Sequence, residues 1–235
     1  RLARAQEDRG SASVALTGGG IGTAVLASIA RSPALEAVDW PAVDVWWSDE
    51  RFVAADDPDR NERAAHDALL GHVPVGPGRV HPVPARGAPG IGDDVHTAAS
   101  AYSDELARHA DPASHGPLPH LDVLLLGVGP DGHVASLFPN RPALHDTRSV
   151  VGVEGAPKPP PNRVTMTLPS IQSADEVWLV AAGSAKAPAV RLALGGAGPL
   201  AVPAAAAQGR HATTWLLDHG AAAELPSGLV RAGSW

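Results

Sequence analysis

The run LDVLLLG, residues 121–127, is apolar without alternation from Val123 to Leu126. A strand that reads this way is buried on both faces, and such strands belong to parallel sheets covered by helices on each side. Further runs of the same kind are SVALT (13–17), VDVWWS (43–48), VTMTL (164–168), EVWLVAAG (176–183) and TTWLLD (213–218). Helical patterns separate them. TAVLASIA follows the first strand, a helix runs from Asn61 to His72, and another spans 184–194. The segment 97–110 places Ala98, Ala101, Tyr102, Leu106 and Ala110 at helical spacing. Strands that alternate with helices predict a doubly wound α/β fold, with a largely parallel sheet and helices on both faces. The 235 residues suit a single domain, 1–235. Residues 1–9 read as the end of a helix, so an N-terminal element is expected to lie outside this sequence. The Pro- and Gly-rich stretch 73–95 holds one expected short strand, RVHPV.

In such folds ligands gather beyond the carboxyl ends of the strands. Three polar clusters fall there: GGGIG after the first strand, SDER after the second and GVGPDGH after LDVLLLG. Gly127, Gly129 and Gly132 match the spacing G-x-G-x-x-G of a dinucleotide fingerprint. That site also needs a helix opening on the glycines to receive pyrophosphate. Here Pro139 comes seven residues after Gly132, and the Asp131 carboxylate would repel an anion. Glu154 is the one residue that could imitate the ribose-binding acid. The loop offers instead an Asp-x-His pair, Asp131 and His133. Either His133 moves a proton near neutral pH with Asp131 orienting it, or the two form a solvated turn. The glycines Gly18, Gly19 and Gly20 allow close backbone approach to a single phosphate at a helix N-terminus, or else make a tight turn. A Walker lysine is absent.

A formal charge of −7 argues against nucleic-acid binding. Of 18 basic residues only Lys158 and Lys186 are lysine, as if a compact charge were reserved for particular places. Cysteine is absent, which excludes thiolate ligands and nucleophiles and suits a reducing compartment. No signal-peptide core or membrane-length apolar run is seen, so a cytoplasmic location is expected. His66, His72, His81, His96, His109, His115, His120, His145, His211 and His219 show no H-x-x-x-H or HExxH spacing. They read as surface or loop residues, and no metal is expected.

LTGGGIG, WWSDERFV, GVGPDGHVASLFP, PKPPPNRVTMTL and GSAKA, in this order, resemble the 6-phosphogluconolactonase family over about residues 13–190. The resemblance implies a Rossmann-like three-layer sandwich and hydrolysis of 6-phosphoglucono-δ-lactone with no cofactor. The partner it implies is a small phosphorylated sugar lactone, met by a monomer or small homo-oligomer. It makes His133 the general base and gives Asp131 the task of positioning the substrate or the histidine. Gly18, Gly19 and Gly20 would cradle phosphate, and Asp49, Arg51, Arg163 and Lys186 complete the binding set. Where the family reads Ser-Asn after the second strand, this chain has Arg60-Asn61. Two rivals are an amino-sugar phosphate deaminase and a sugar-phosphate sensor. The related deaminases carry an acid five positions after the motif histidine, where this chain has Phe138. A sensor would need a further domain, and none is visible in the sequence.

Overall fold

The structure, a computed structural model, describes residues 1–112 and 117–229. In chain order its elements are α1 (Leu2–Arg9), β1 (Ala12–Leu16), α2 (Gly19–Ala30), β2 (Val43–Trp47), β3 (Asp49–Arg51), α3 (Asn61–Ala68) and α4 (Val95–Arg108). They continue with β4 (Val123–Gly127), β5 (Val150–Val153), β6 (Arg163–Met166), α5 (Leu168–Gln172), β7 (Glu176–Ala181), α6 (Ala187–Leu194) and β8 (Ala212–Leu217). Five strands form a parallel sheet in the order β2-β1-β4-β7-β8, flanked by helices, as the apolar runs predict. From β1 the chain passes to β2 on one side, while β4, β7 and β8 lie on the other. The loops after β1 and β4 therefore diverge at the point where strand order reverses, and a crevice opens there.

Three features depart from the sequence reading. The charge run SDER does not simply trail from the second strand, since Asp49–Arg51 forms a strand of its own, β3. With β6 and β5 it makes a second, antiparallel sheet in the order β3-β6-β5. Strand β5, SVVGV in sequence, is too short and too glycine-interrupted to announce itself. RVHPV forms no strand: Val80 makes one isolated bridge to Val45, and Pro82, lacking an N–H, stops a ladder from growing.

Ser48 joins the two sheets. Its N–H donates to Leu16 O at 2.9 Å in the parallel sheet, while its carbonyl accepts from Met166 N–H at 2.9 Å in the antiparallel one. Its buried hydroxyl also donates to Leu16 O at 3.0 Å. On α4, Ala98, Tyr102 and Leu106 are buried at four-residue spacing. The Tyr102 hydroxyl accepts from Trp47 N–H at 2.9 Å and donates to Trp47 O at 3.1 Å, which pins α4 against the end of β2. Among the described residues no helix is long and apolar enough to cross a membrane.

Candidate active site

A cavity of about 550 Å³ opens at the reversal point. The loop after β1 supplies Thr17 and Gly18–Gly20, β3 supplies Asp49 and Arg51, and the loop after β4 supplies Gly129 and His133. Lys158, Arg163 and Lys186 complete the wall. All three polar clusters meet here, and so do both lysines of the chain. Asp131 stands behind His133 rather than on the cavity surface.

The glycine loop becomes the first turn of α2, earlier than the pattern TAVLASIA suggests. Gly18 is the N-cap, and no acidic residue lies in the first turn. Gly19 adopts φ +73°, which side chains rarely tolerate, and a Cβ on Gly19 or Gly20 would meet open space. A Cβ on Gly18 would fall 1.9 Å from Asn61 Oδ1, so Asn61 packs directly over this loop. Asn61 Nδ2 donates to Asp49 O at 3.0 Å. The departure at Arg60 thus leaves Asn61 in place, while Arg60 is buried and donates to Val83 O at 2.7 Å.

Among the described residues no helix opens on Gly127–Gly132, and residues 130–140 form turns and isolated bridges. Gly132 N–H donates to Gly129 O at 3.0 Å, closing a turn, and Val134 bridges back to Val128. Glu154 lies 3.8 Å from His96 and outside this cavity. The dinucleotide reading therefore lacks both its helix and its acid. The turn instead brings the Asp-x-His pair together: His133 Nδ1 lies 2.5 Å from Asp131 Oδ1. Burial opposes ionisation of Asp131, but the His133 hydrogen bond, the His133 charge and the Lys158 ammonium at 3.7 Å outweigh it. They hold its carboxyl well below the usual range. An ionised Asp131 accepts from Nδ1–H, and the neutral tautomer then carries its lone pair on Nε2.

The remaining charges divide in kind. Burial pushes the Asp49 carboxyl up, against the opposing effect of the Ser136 hydroxyl, which donates to it at 2.7 Å. Ser136, in the motif ASLFP, is a site residue the sequence reading passed over. Arg163 spends its N–H groups on the carbonyls of Lys158, Pro159 and Pro160 at 3.0–3.3 Å. It ties the PKPPP loop to the cavity wall. Arg51 Nη1 donates to Asp59 O at 2.7 Å, while its buried Nε has no hydrogen-bond partner. Burial, then the nearby Lys158 charge, pull the Lys186 ammonium below its usual range.

Glu50, in the charge run after β2, is 1% exposed. It accepts from the backbone N–H of Arg51 and Asn61 at 2.7 Å and of Glu62 at 2.9 Å. Burial nevertheless pushes its carboxyl up to about 7. The folded chain then binds more protons than the unfolded chain between about 4.5 and about 7. Stability from this group is present below that window and is lost as pH rises through it, by a few kcal/mol in all at about 1.4 kcal/mol per unit. Urea unfolding at about pH 5 and about pH 8 checks this. Glu50→Gln should flatten the fall relative to the parent chain, and an equal slope in both would contradict the assignment.

The histidines are less uniform than their spacing implies. His81 is 4% exposed and therefore no surface residue. His120 is half-buried beside Asp122 and Asp175. His115 lies outside the described residues.

Comparison with known proteins agrees with this architecture. Residues 1–215 match the family described as glucosamine-6-phosphate isomerases/6-phosphogluconolactonase. The chain is 54% identical to a 6-phosphogluconolactonase of Streptomyces coelicolor, over 97% of this chain and 88% of that one. It is 50% identical to a 6-phosphogluconolactonase of Mycobacterium tuberculosis, over 93% and 87% respectively. A solved structure of 6-phosphogluconolactonase from Trypanosoma brucei superimposes with a TM-score of 0.79 at 28% identity, covering 96% of this chain and 90% of that one. With identity of this depth across nearly the whole chain, and the glycine cradle and Asp131–His133 pair meeting in one cavity, the chain belongs to the 6-phosphogluconolactonase family.

Proposed function

We infer that the chain hydrolyses 6-phosphoglucono-δ-lactone to 6-phosphogluconate, with His133 as general base. The observation that carries this assignment is the Asp131–His133 pair facing a cavity whose other wall is an acid-free helix N-terminus. Water attacks the lactone carbonyl while Nε2 of His133 takes its proton. The ring C–O bond then breaks, and the same proton passes to the departing ring oxygen. A base placed in this way contributes about 10²–10⁴-fold. Asp131 holds the tautomer and stabilises the imidazolium that forms.

The N-terminal N–H groups of α2, assisted by Lys186, suit the phosphate, with the positive end of the helix adding to their attraction. Arg51, whose buried Nε–H is unspent, is placed to meet either phosphate or the developing oxyanion. Anchoring the phosphate, remote from the carbonyl, orients the lactone for attack. Phe138 stands where a deaminase carries its acid. Its ring packs 4.7 Å from that of His133 and moves no proton. Every group invoked belongs to one chain, so a monomer suffices, and a small homo-oligomer would repeat the same site. The cytoplasm is the proposed compartment, in keeping with the sugar-phosphate pathway that the reaction serves.

The test is acid release from freshly made 6-phosphoglucono-δ-lactone, corrected for spontaneous hydrolysis. Strong acceleration is expected, and the unphosphorylated lactone should lose most of it. Lys186→Gln should raise KM about tenfold or more, in line with the loss of one charge-assisted bond of about 1.5–3 kcal/mol. Equal rates on both lactones would remove the phosphate from the reading, and no acceleration would overturn it.

A further inference from the structure

Beside the amino-terminal half of β2, outside the lining of the catalytic cavity, lies a second chemical cluster. His81 is drawn inward because its backbone N–H donates to Val45 O at 2.9 Å and its ring stacks on Trp46, centroids 3.9 Å apart. Glu105 in the last turn of α4 and His109, which caps the helix's C-terminus, both face it. His81 Nδ1 lies 2.9 Å from Glu105 Oε1, and His109 Nε2 lies 3.3 Å from the same oxygen. One ligand atom from each of the three residues falls within 4.8 Å of the others.

The second nitrogen of His81 is unsatisfied. Nε2 is buried, makes no hydrogen bond, and sits 3.5 Å from Asp44 Oδ1. A neutral imidazole has one N–H. If Nδ1–H serves Glu105, the Nε2 lone pair faces a carboxylate. A cation on Nδ1 sends the proton to Nε2, where Asp44 can accept it, so both nitrogens are then satisfied. A carboxylate behind a ligating histidine is the usual outer support of a bound metal.

We propose that His81 Nδ1, Glu105 Oε1 and His109 Nε2 form a site for a zinc-class divalent cation, with Asp44 fixing the His81 tautomer. Two imidazoles and one carboxylate are a zinc ligand set, whereas magnesium and calcium prefer all-oxygen sets. Ligands about 2.0–2.1 Å from a tetrahedral zinc lie about 3.3–3.4 Å from each other, so small side-chain shifts suffice. The neighbouring arginines leave the needed oxygens available. Arg108 bonds Glu105 through Oε2, and Arg79 bonds Asp44 through Oδ2 at 2.8 Å. The cluster of His120, Asp122 and Asp175 is less suited, because Arg9 already pairs with Asp122, and the Asp122 and Asp175 carboxylates beside His120 favour its charged form. The sequence scan expected no metal because it sought paired histidines at helical spacing. Here one ligand comes from a loop and two come as Glu-x-x-x-His. A cation at this place fastens α4 to the segment after β2.

Isothermal titration of the metal-free full chain with zinc chloride tests the proposal. One zinc should bind and raise Tm. His109→Ala, whose side chain is 43% exposed, should weaken binding at least tenfold. Glu105→Gln should do the same, and it carries the test if the first variant does not fold. His133→Ala should bind as the parent does. The proposal is overturned if the parent gives no zinc-dependent heat. It is also overturned if the folded variants at 105 and 109 titrate like the parent, or if His133→Ala abolishes binding.

Discussion

His133→Ala lowers kcat for 6-phosphoglucono-δ-lactone hydrolysis by about 10²–10⁴-fold and leaves KM within about threefold. The split between the two constants follows from where the residue acts. In the proposed reaction His133 takes a proton in the transition state, whereas the phosphate is held across the cavity by Gly18–Gly20 and Lys186. Removing the imidazole therefore removes stabilisation that the bound substrate does not yet enjoy. Asp131→Asn should mimic the loss. An asparagine can turn its amide N–H toward Nδ1, which places the ring proton on Nε2 and blocks the base. Initial rates by pH-stat, corrected for the spontaneous reaction, decide the matter. A His133→Ala enzyme with unchanged kcat would remove His133 from the chemistry.

Gly129→Ala should be nearly as damaging although it deletes no functional group. A methyl there would lie 2.0 Å from His133 Nδ1, 2.1 Å from its Cε1 and 2.5 Å from Asp131 Oδ1. Gly129 is not among the glycines at positive φ, so the backbone accepts alanine and the side chains must give way. The imidazole can swing toward the cavity, which relieves the clash but separates it from Asp131. A fall in kcat of at least about 10²-fold is expected, since the oriented base is lost. Overpacking costs about 1–3 kcal/mol when it cannot relax, so with an open cavity alongside, Tm should drop by less than about 5 °C. The double variant with His133→Ala should be little worse than either single one, because both remove the same interaction. Additive losses would show that Gly129 acts elsewhere.

What the sequence revealed follows physical lines. Strands β1, β2, β4 and β7 were legible because burial on both faces leaves apolar runs, and the edge strand β8 keeps an apolar run, Trp215–Leu217, although it is half-buried or exposed. The loops at their carboxyl ends were legible because Gly, Asp and His appear there abruptly. Strand β3 was not, because Asp49 and Glu50 are charged yet buried. Their burial is sustained by Ser136 and by three backbone N–H groups contributed from residues 51, 61 and 62, and composition does not disclose such partners. Arg163 was read as a cation of the site. It lines the cavity, but most of its donors serve the PKPPP carbonyls, a local use that residue type cannot reveal. His81 was misplaced for a similar reason, since a ring stacked on a buried tryptophan looks the same in sequence as one in a loop. The role of Ser136 depends on a contact with residue 49, 87 positions away.

Ser48, held at once by Leu16 of one sheet and Met166 of the other, sets a gauge. The glycine cradle and His133 ride on the parallel sheet. Asp49, Arg51 and Arg163 ride on the antiparallel one. The span a bound ligand would bridge is therefore the offset between two sheets, and it is set at a buried residue outside the cavity lining. A bulkier side chain at position 48 would reset the length standard for every substrate together, while leaving each group that meets the substrate chemically unchanged.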